Sequence, residues 1–191
     1  MIPRLAFFVS IAFSIVAWGA VTARYVWPRL RGLERSEALR PILVVHTFRF
    51  LGLAFLVPGV VSPGLPLSFA RPAAYGDLAA AILAFLSLLS LANGGGVVLA
   101  WIFNIWGSFD LLNAFYRAGS AGLVPGQLGA TYFIPTFVVP MLLITHVVAF
   151  RVLLRRGDGV PARERAAGIS GESYAMVSRP DGGLLEGELE R

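Results

Sequence analysis

The chain has 191 residues, of which 57% are hydrophobic and 14% are charged, and its mean hydropathy is +0.73. About a quarter of the residues of a soluble domain are charged, so this composition predicts a protein that is solvated by lipid. The chain has no cysteine, and all sixteen of its basic residues are arginine. These two facts exclude disulfides, thiolate metal sites, cysteine nucleophiles and lysine Schiff-base chemistry.

The net charge of +5 does not indicate a nucleic-acid partner, because the charge is unevenly distributed. Residues 1–156 carry twelve arginines against four acidic residues, whereas residues 157–191 carry four arginines against seven. The arginines of the first part flank apolar segments, where they would anchor helices at an anionic membrane surface. We therefore expect a transmembrane helical domain over residues 1–156 and a flexible cytoplasmic tail over residues 157–191.

Five apolar segments are close to the roughly 20 residues that a membrane-spanning helix needs. They are predicted at residues 5–27, 41–61, 75–92, 97–116 and 132–154. The sequence Asn-Gly-Gly-Gly at residues 93–96 predicts a tight turn between the third and fourth segments, since glycine adopts positive φ angles readily. The predicted fold class is therefore all-α, an integral membrane bundle of five transmembrane helices.

Proline residues are informative in two regions of this pattern. Pro63, Pro66 and Pro72 fall within residues 62–74, which are expected to form a loop at the membrane interface because proline interrupts helices. Pro140 lies inside the fifth predicted helix and is expected to kink it, which transmembrane helices tolerate.

The placement of arginine predicts the orientation in the membrane. With the N-terminus outside, only Arg4, Arg71 and Arg117 flank the outer side. The inner side then holds ten arginines: Arg24, Arg29, Arg31, Arg35, Arg40, Arg151, Arg155, Arg156, Arg163 and Arg165. This is a positive-inside pattern. Cleavage of residues 1–23 as a signal peptide would reverse it, so the first segment is expected to remain as a helix.

Ionisable groups inside a membrane each cost roughly 2.5–3.5 kcal/mol, so they are expected to face the interior of the bundle. Those away from the ends of the predicted spans are His46, Arg49, Asp110 and His146, and Asn104 is an uncharged companion. Residues three apart share a face of a helix, which groups His46 with Arg49. We expect a buried polar cluster of Arg49, Asn104 and Asp110, with the two histidines on its inner side.

This cluster supports several interpretations. Two histidines at similar depth on different helices are the minimum for bis-imidazole ligation of a b-type haem, although a histidine that only bonds a neighbouring helix is the more common case. Arg49 and Asp110 form either a structural ion pair or the gate of a small transporter. Asp77 is expected in the first turn of the third helix, where its carboxylate complements the helix dipole. No catalytic or metal-binding motif was found, so catalysis has the least support.

Several short motifs between residues 41 and 150 give a family resemblance. They are Arg49-Phe50-Leu51-Gly52, Gly76-Asp77-Leu78, Asn104 with Gly107 and Asp110, and Ile134-Pro135-Thr136 with Pro140 and His146. The chain resembles small bacterial multi-pass membrane proteins that carry no assigned activity. This resemblance implies a bacterial inner membrane and no particular chemistry.

Three classes of function follow from these observations. The leading one is a structural or accessory membrane subunit that packs against other membrane proteins or a second copy. The alternatives are a haem-binding redox or sensor protein that uses His46 and His146, and a transporter that uses Arg49 and Asp110.

Overall fold

The computed structural model describes residues 2–93 and 95–155, and this part of the chain is helical without a named strand. Five helices are long and apolar enough to cross a membrane. They are α1 (Pro3–Leu30), α2 (Arg35–Leu56), α3 (Leu67–Ser90), α4 (Gly96–Ser120) and α5 (Ile134–Leu153). The all-helical prediction with five apolar helices is confirmed at this level. The predicted tail, residues 157–191, lies outside the described residues.

Helix α3 begins at Leu67, eight residues before the predicted start at 75, so the prediction that residues 62–74 form a loop was wrong from Leu67 onward. Pro66 precedes the helix, and Pro72 lies inside it. A proline inside a helix removes one backbone N–H and crowds the carbonyl four residues earlier, yet the helix continues through Pro72. Packing compensates, because Phe69, Ala70 and Ala73 are buried in an apolar cluster.

Helix α2 changes its geometry in the middle. It is α-helical over Arg35–Thr47 and continues as a 3₁₀-helix over Phe48–Leu56. A 3₁₀-helix has three residues per turn, so residues spaced by three lie on one face. The buried residues of the second part are Arg49, Gly52 and Phe55. This change of helix type therefore directs Arg49 into the bundle.

The remaining helices surround this face. Helices α3 and α4 form the predicted hairpin, closed by a hydrogen bond of 2.8 Å from Ser87 Oγ to the Gly96 carbonyl. Helix α5 begins with a π-helical segment, Ile134–Val138, which contains Pro135 and ends two residues before Pro140. Helix α1 lies at the periphery, and its most apolar window has no buried residue.

The bundle has two different ends. At one end Arg155 donates to the Leu30 carbonyl over 3.2 Å and stacks on the Trp27 ring at 5.0 Å. We call it the arginine end. At the other end two connections pair, because the Ala130 and Ser62 amides donate to the carbonyls of Val60 (2.8 Å) and Gln127 (3.1 Å). We call it the loop end.

Separate apolar clusters fill the two ends. The cluster towards the arginine end includes Leu39, Phe103 and Val152, and the cluster towards the loop end includes Phe55, Phe69 and Leu128. Buried polar and charged side chains lie between these two clusters, near the middle of helices α2, α3, α4 and α5.

Candidate functional site

The side chain of Arg49 is the centre of the buried polar residues, and it is 0% exposed. Its Nε donates to Asp77 Oδ1 over 2.8 Å, and its Nη2 donates to Asp110 Oδ2 over 2.7 Å. Nη2 also lies 2.8 Å from Asp77 Oδ1. Nη1 contacts the Gly107 carbonyl at 3.2 Å and His146 Nε2 at 3.3 Å. Four hydrogen bonds thus use the guanidinium, which has five N–H donors, and the second contact with Asp77 is an ion pair.

The predicted pair of Arg49 and Asp110 is thus in contact, and Asp77 is a second carboxylate that sequence reasoning did not place there. Asp77 was expected in the first turn of its helix, and this was wrong because α3 begins ten residues before it. The first turn of α3 is at the loop end, whereas Asp77 lies deeper, facing Arg49. The inward position of Asp77 could have been recognised from the small residues three and four positions away on the same helix face. These are Ala73, Ala74, Ala80 and Ala81, and all four are buried.

Three glycines make room for the charged groups. An added Cβ on Gly52 would clash with the Asp77 carboxylate, and one on Gly76 would clash with the Asp110 carboxylate. An added Cβ on Gly107 would lie 2.6 Å from His146 Cε1 and 2.7 Å from Arg49 Nη1. Glycine lets neighbouring backbones and side chains approach closely in membrane helices. The three positions therefore belong to the site although they carry no side chain.

Asn104 fixes the orientation of His146. The Asn104 amide nitrogen donates to the His146 carbonyl over 3.3 Å, so its oxygen accepts from His146 Nδ1 over 2.7 Å. With the proton on Nδ1, the other ring nitrogen is free to accept from Arg49. A proton on both ring nitrogens would oppose the guanidinium donors. These bonds therefore assign His146 as a neutral imidazole.

His46 lies next to His146 on the side of the arginine end. Its Nε2 is 2.9 Å from Thr145 Oγ1, and that hydroxyl lies 3.0 Å from the carbonyls of Met141 and Leu142, to which it can donate. The two imidazole ring centroids are 4.3 Å apart, and Phe103 covers His46 at 4.9 Å. All members of the predicted buried cluster thus lie in one connected network.

This geometry does not fit a bis-imidazole haem. Such a ligand set needs the two rings on opposite faces of a porphyrin, with one nitrogen of each ring directed at the iron. Here the rings contact each other directly, and both nitrogens of His146 are engaged by Asn104 and Arg49. Among the described residues there is also no group of three or more side chains arranged to hold a metal ion.

A cavity of about 340 Å³ lies next to the charged groups. Asp77 and Asp110 line it, together with five phenylalanines and residues of the loop end such as Pro125 and Leu128. The phenylalanines are Phe7, Phe8, Phe55, Phe69 and Phe115. Arg4, which is exposed, is the remaining charged residue of the lining. The cavity thus joins the buried carboxylates to the loop end.

Comparison with known proteins assigns the chain to a family. The family model for the domain of unknown function DUF8737 matches residues 6–154. The chain belongs to this family. No curated protein and no solved structure matches it. The expected relationship to proteins without an assigned activity is confirmed, and the matched segment of this DUF8737 member contains the whole network around Arg49.

Proposed function

We propose that this DUF8737 protein is an integral protein of a bacterial plasma membrane, crossed by all five helices, with its N-terminus outside and its C-terminal tail in the cytoplasm. The apolar length of each helix supports the crossing. The arginines at the arginine end, including Arg29, Arg35 and Arg155, support the orientation, since basic residues favour the cytoplasmic side. The loop end then faces outward.

For a membrane protein of this orientation we propose a structural or accessory role, in which the charged network around Arg49 holds the helices of the bundle together. The observation that carries it is the set of four hydrogen bonds that join Arg49 to groups on α3, α4 and α5. A buried guanidinium that is already paired with two carboxylates is poorly suited to bind a substrate anion, and its contacts on three helices hold them in register. The peripheral helix α1 leaves apolar faces for lipid and for other membrane proteins or a second copy.

The orientation is tested by labelling single cysteines, which the natural chain lacks. Gly32 lies near the arginine end and Gly126 at the loop end, and an added Cβ meets nothing within 4 Å at either glycine. We expect a membrane-impermeant maleimide to label Gly126→Cys in intact spheroplasts. Gly32→Cys should react only after the membrane is permeabilised. The reverse pattern, or labelling of both from outside, would contradict the proposed orientation.

The accessory role predicts a defined assembly. The tagged protein, extracted in polymer nanodiscs at its natural expression level, is expected to contain a second membrane protein or a second copy in constant ratio. Native mass spectrometry measures that ratio against the 20.5 kDa mass of one chain. An Arg40→Leu variant, which alters only an exposed ion pair, serves as the control and should show the same ratio. Particles that hold one chain and lipid alone would contradict an accessory role.

A further inference from the structure

We infer that the cavity lined by Asp77 and Asp110 is a binding site for a small organic cation with an apolar body, such as an aromatic quaternary ammonium. This goes beyond the structural role proposed above, and it concerns the parts of Asp77 and Asp110 that line the cavity.

The first argument is the balance of charge. Arg49 contributes one positive charge against the two carboxylates, whose side chains are only 10% and 8% exposed. His146 does not compensate, because its bonds to Asn104 and Arg49 assign it as neutral. With both carboxylates ionised, one negative charge is in excess in a desolvated place, where an uncompensated ion costs several kcal/mol. A cation in the cavity removes this cost.

The second argument is the position of the unused oxygens. Arg49 contacts Asp77 Oδ1 and Asp110 Oδ2. The other oxygens, Asp77 Oδ2 and Asp110 Oδ1, take part in neither of these bonds, and they lie beside the backbones of Gly52 and Gly76. Both aspartates line the cavity. The two carboxylates can therefore stabilise a ligand charge without releasing Arg49.

The third argument is the lining of the cavity. Its walls are mainly apolar and include five phenylalanine rings. The face of an aromatic ring attracts a cation, and quaternary ammonium ligands are bound in this way. The volume of about 340 Å³ falls in the range of roughly 300–1,000 Å³ for small-molecule sites. Aromatic walls beside two carboxylates suit a ligand that is both apolar and positively charged.

An anion fits this site less well. Arg49 is buried and paired with both carboxylates, and the cation that lines the cavity, Arg4, is exposed. A charge in water is screened, whereas a charge in a desolvated cavity is not. The field inside the cavity is therefore set by the aspartates. The ligand enters from the loop end, which is the outer side in the proposed orientation.

The test is calorimetric titration of the full chain in lipid nanodiscs, with empty nanodiscs as the blank. The probes are benzyltrimethylammonium and phenylacetate, which have similar size and opposite charge. We expect the ammonium to bind and phenylacetate not to bind. Equal heats for both probes, or binding of phenylacetate alone, would overturn the inference, as would the absence of ammonium binding.

Variants separate the carboxylates from the cavity. Asp110→Asn should weaken ammonium binding by about tenfold or more, which is about 1.4 kcal/mol, whereas Asp110→Glu should keep most of it. Ala114→Phe fills the cavity without changing its charge and should abolish binding, and Glu37→Gln at the exposed pair should have no effect. Tryptophan-fluorescence unfolding shows which variants are folded. If Asp110→Asn does not fold, the Ala114→Phe variant serves as the test. Ammonium binding that is unchanged in Ala114→Phe overturns the inference.

Discussion

Substitution of Arg49 by leucine is expected to lower the free energy of unfolding by about 3–5 kcal/mol, the usual cost of removing one partner from a buried ion pair. The loss leaves the carboxylates of Asp77 and Asp110 without their shared cation in a desolvated place. It also leaves the Gly107 carbonyl and His146 Nε2 without a donor. Unfolding in mixed micelles, followed through the fluorescence of the four tryptophans, measures this loss.

Two further variants show whether the loss arises from unpaired charge. Arg40→Leu removes an arginine of the same helix from an exposed pair with Glu37, whose side chains are 52% and 54% exposed, and should cost less than about 1 kcal/mol. The triple change Arg49→Leu, Asp77→Leu and Asp110→Leu should recover much of the stability, since apolar side chains can replace a buried ionic group. If the triple variant is as unstable as Arg49→Leu, unpaired charge is not the cause.

Gly107→Ala is expected to destabilise the bundle by about 1–3 kcal/mol, the typical cost of overpacking a filled interior. The new methyl group would lie 2.6 Å from His146 Cε1 and 2.7 Å from Arg49 Nη1, so the imidazole or the guanidinium has to move. The movement would lengthen the hydrogen bonds that Arg49 makes with Asp77 and Asp110. The same unfolding experiment measures the loss.

Gly119→Ala on the same helix is the matched control. Nothing lies within 4 Å of its added Cβ, and alanine is favoured over glycine in a helix by about 1 kcal/mol. This variant should be as stable as the natural chain or slightly more stable. Equal losses in Gly107→Ala and Gly119→Ala would show that glycine at position 107 is not required by the charged network.

The polar residues of the site were largely predictable because burying them is expensive. His46, Arg49, Asn104, Asp110 and His146 were identified from their place in apolar segments alone, and the structure connects all of them. Asp77 was assigned to a helix end because Pro72 was taken to precede the helix. A single proline costs one backbone hydrogen bond, and the packing of Phe69 and Ala73 compensates for that cost. Sequence alone does not reveal this compensation.

The sequence by itself determined the helical class, the five apolar helices and most of the polar residues that are buried together. These follow from hydropathy and the cost of burying charge, which depend on each segment separately. Only the tertiary structure decided that α2 continues as a 3₁₀-helix, that two carboxylates share Arg49, that the histidine rings touch, and that a cavity opens onto both aspartates. These features depend on distances between helices, and such distances are set by packing that no single segment encodes.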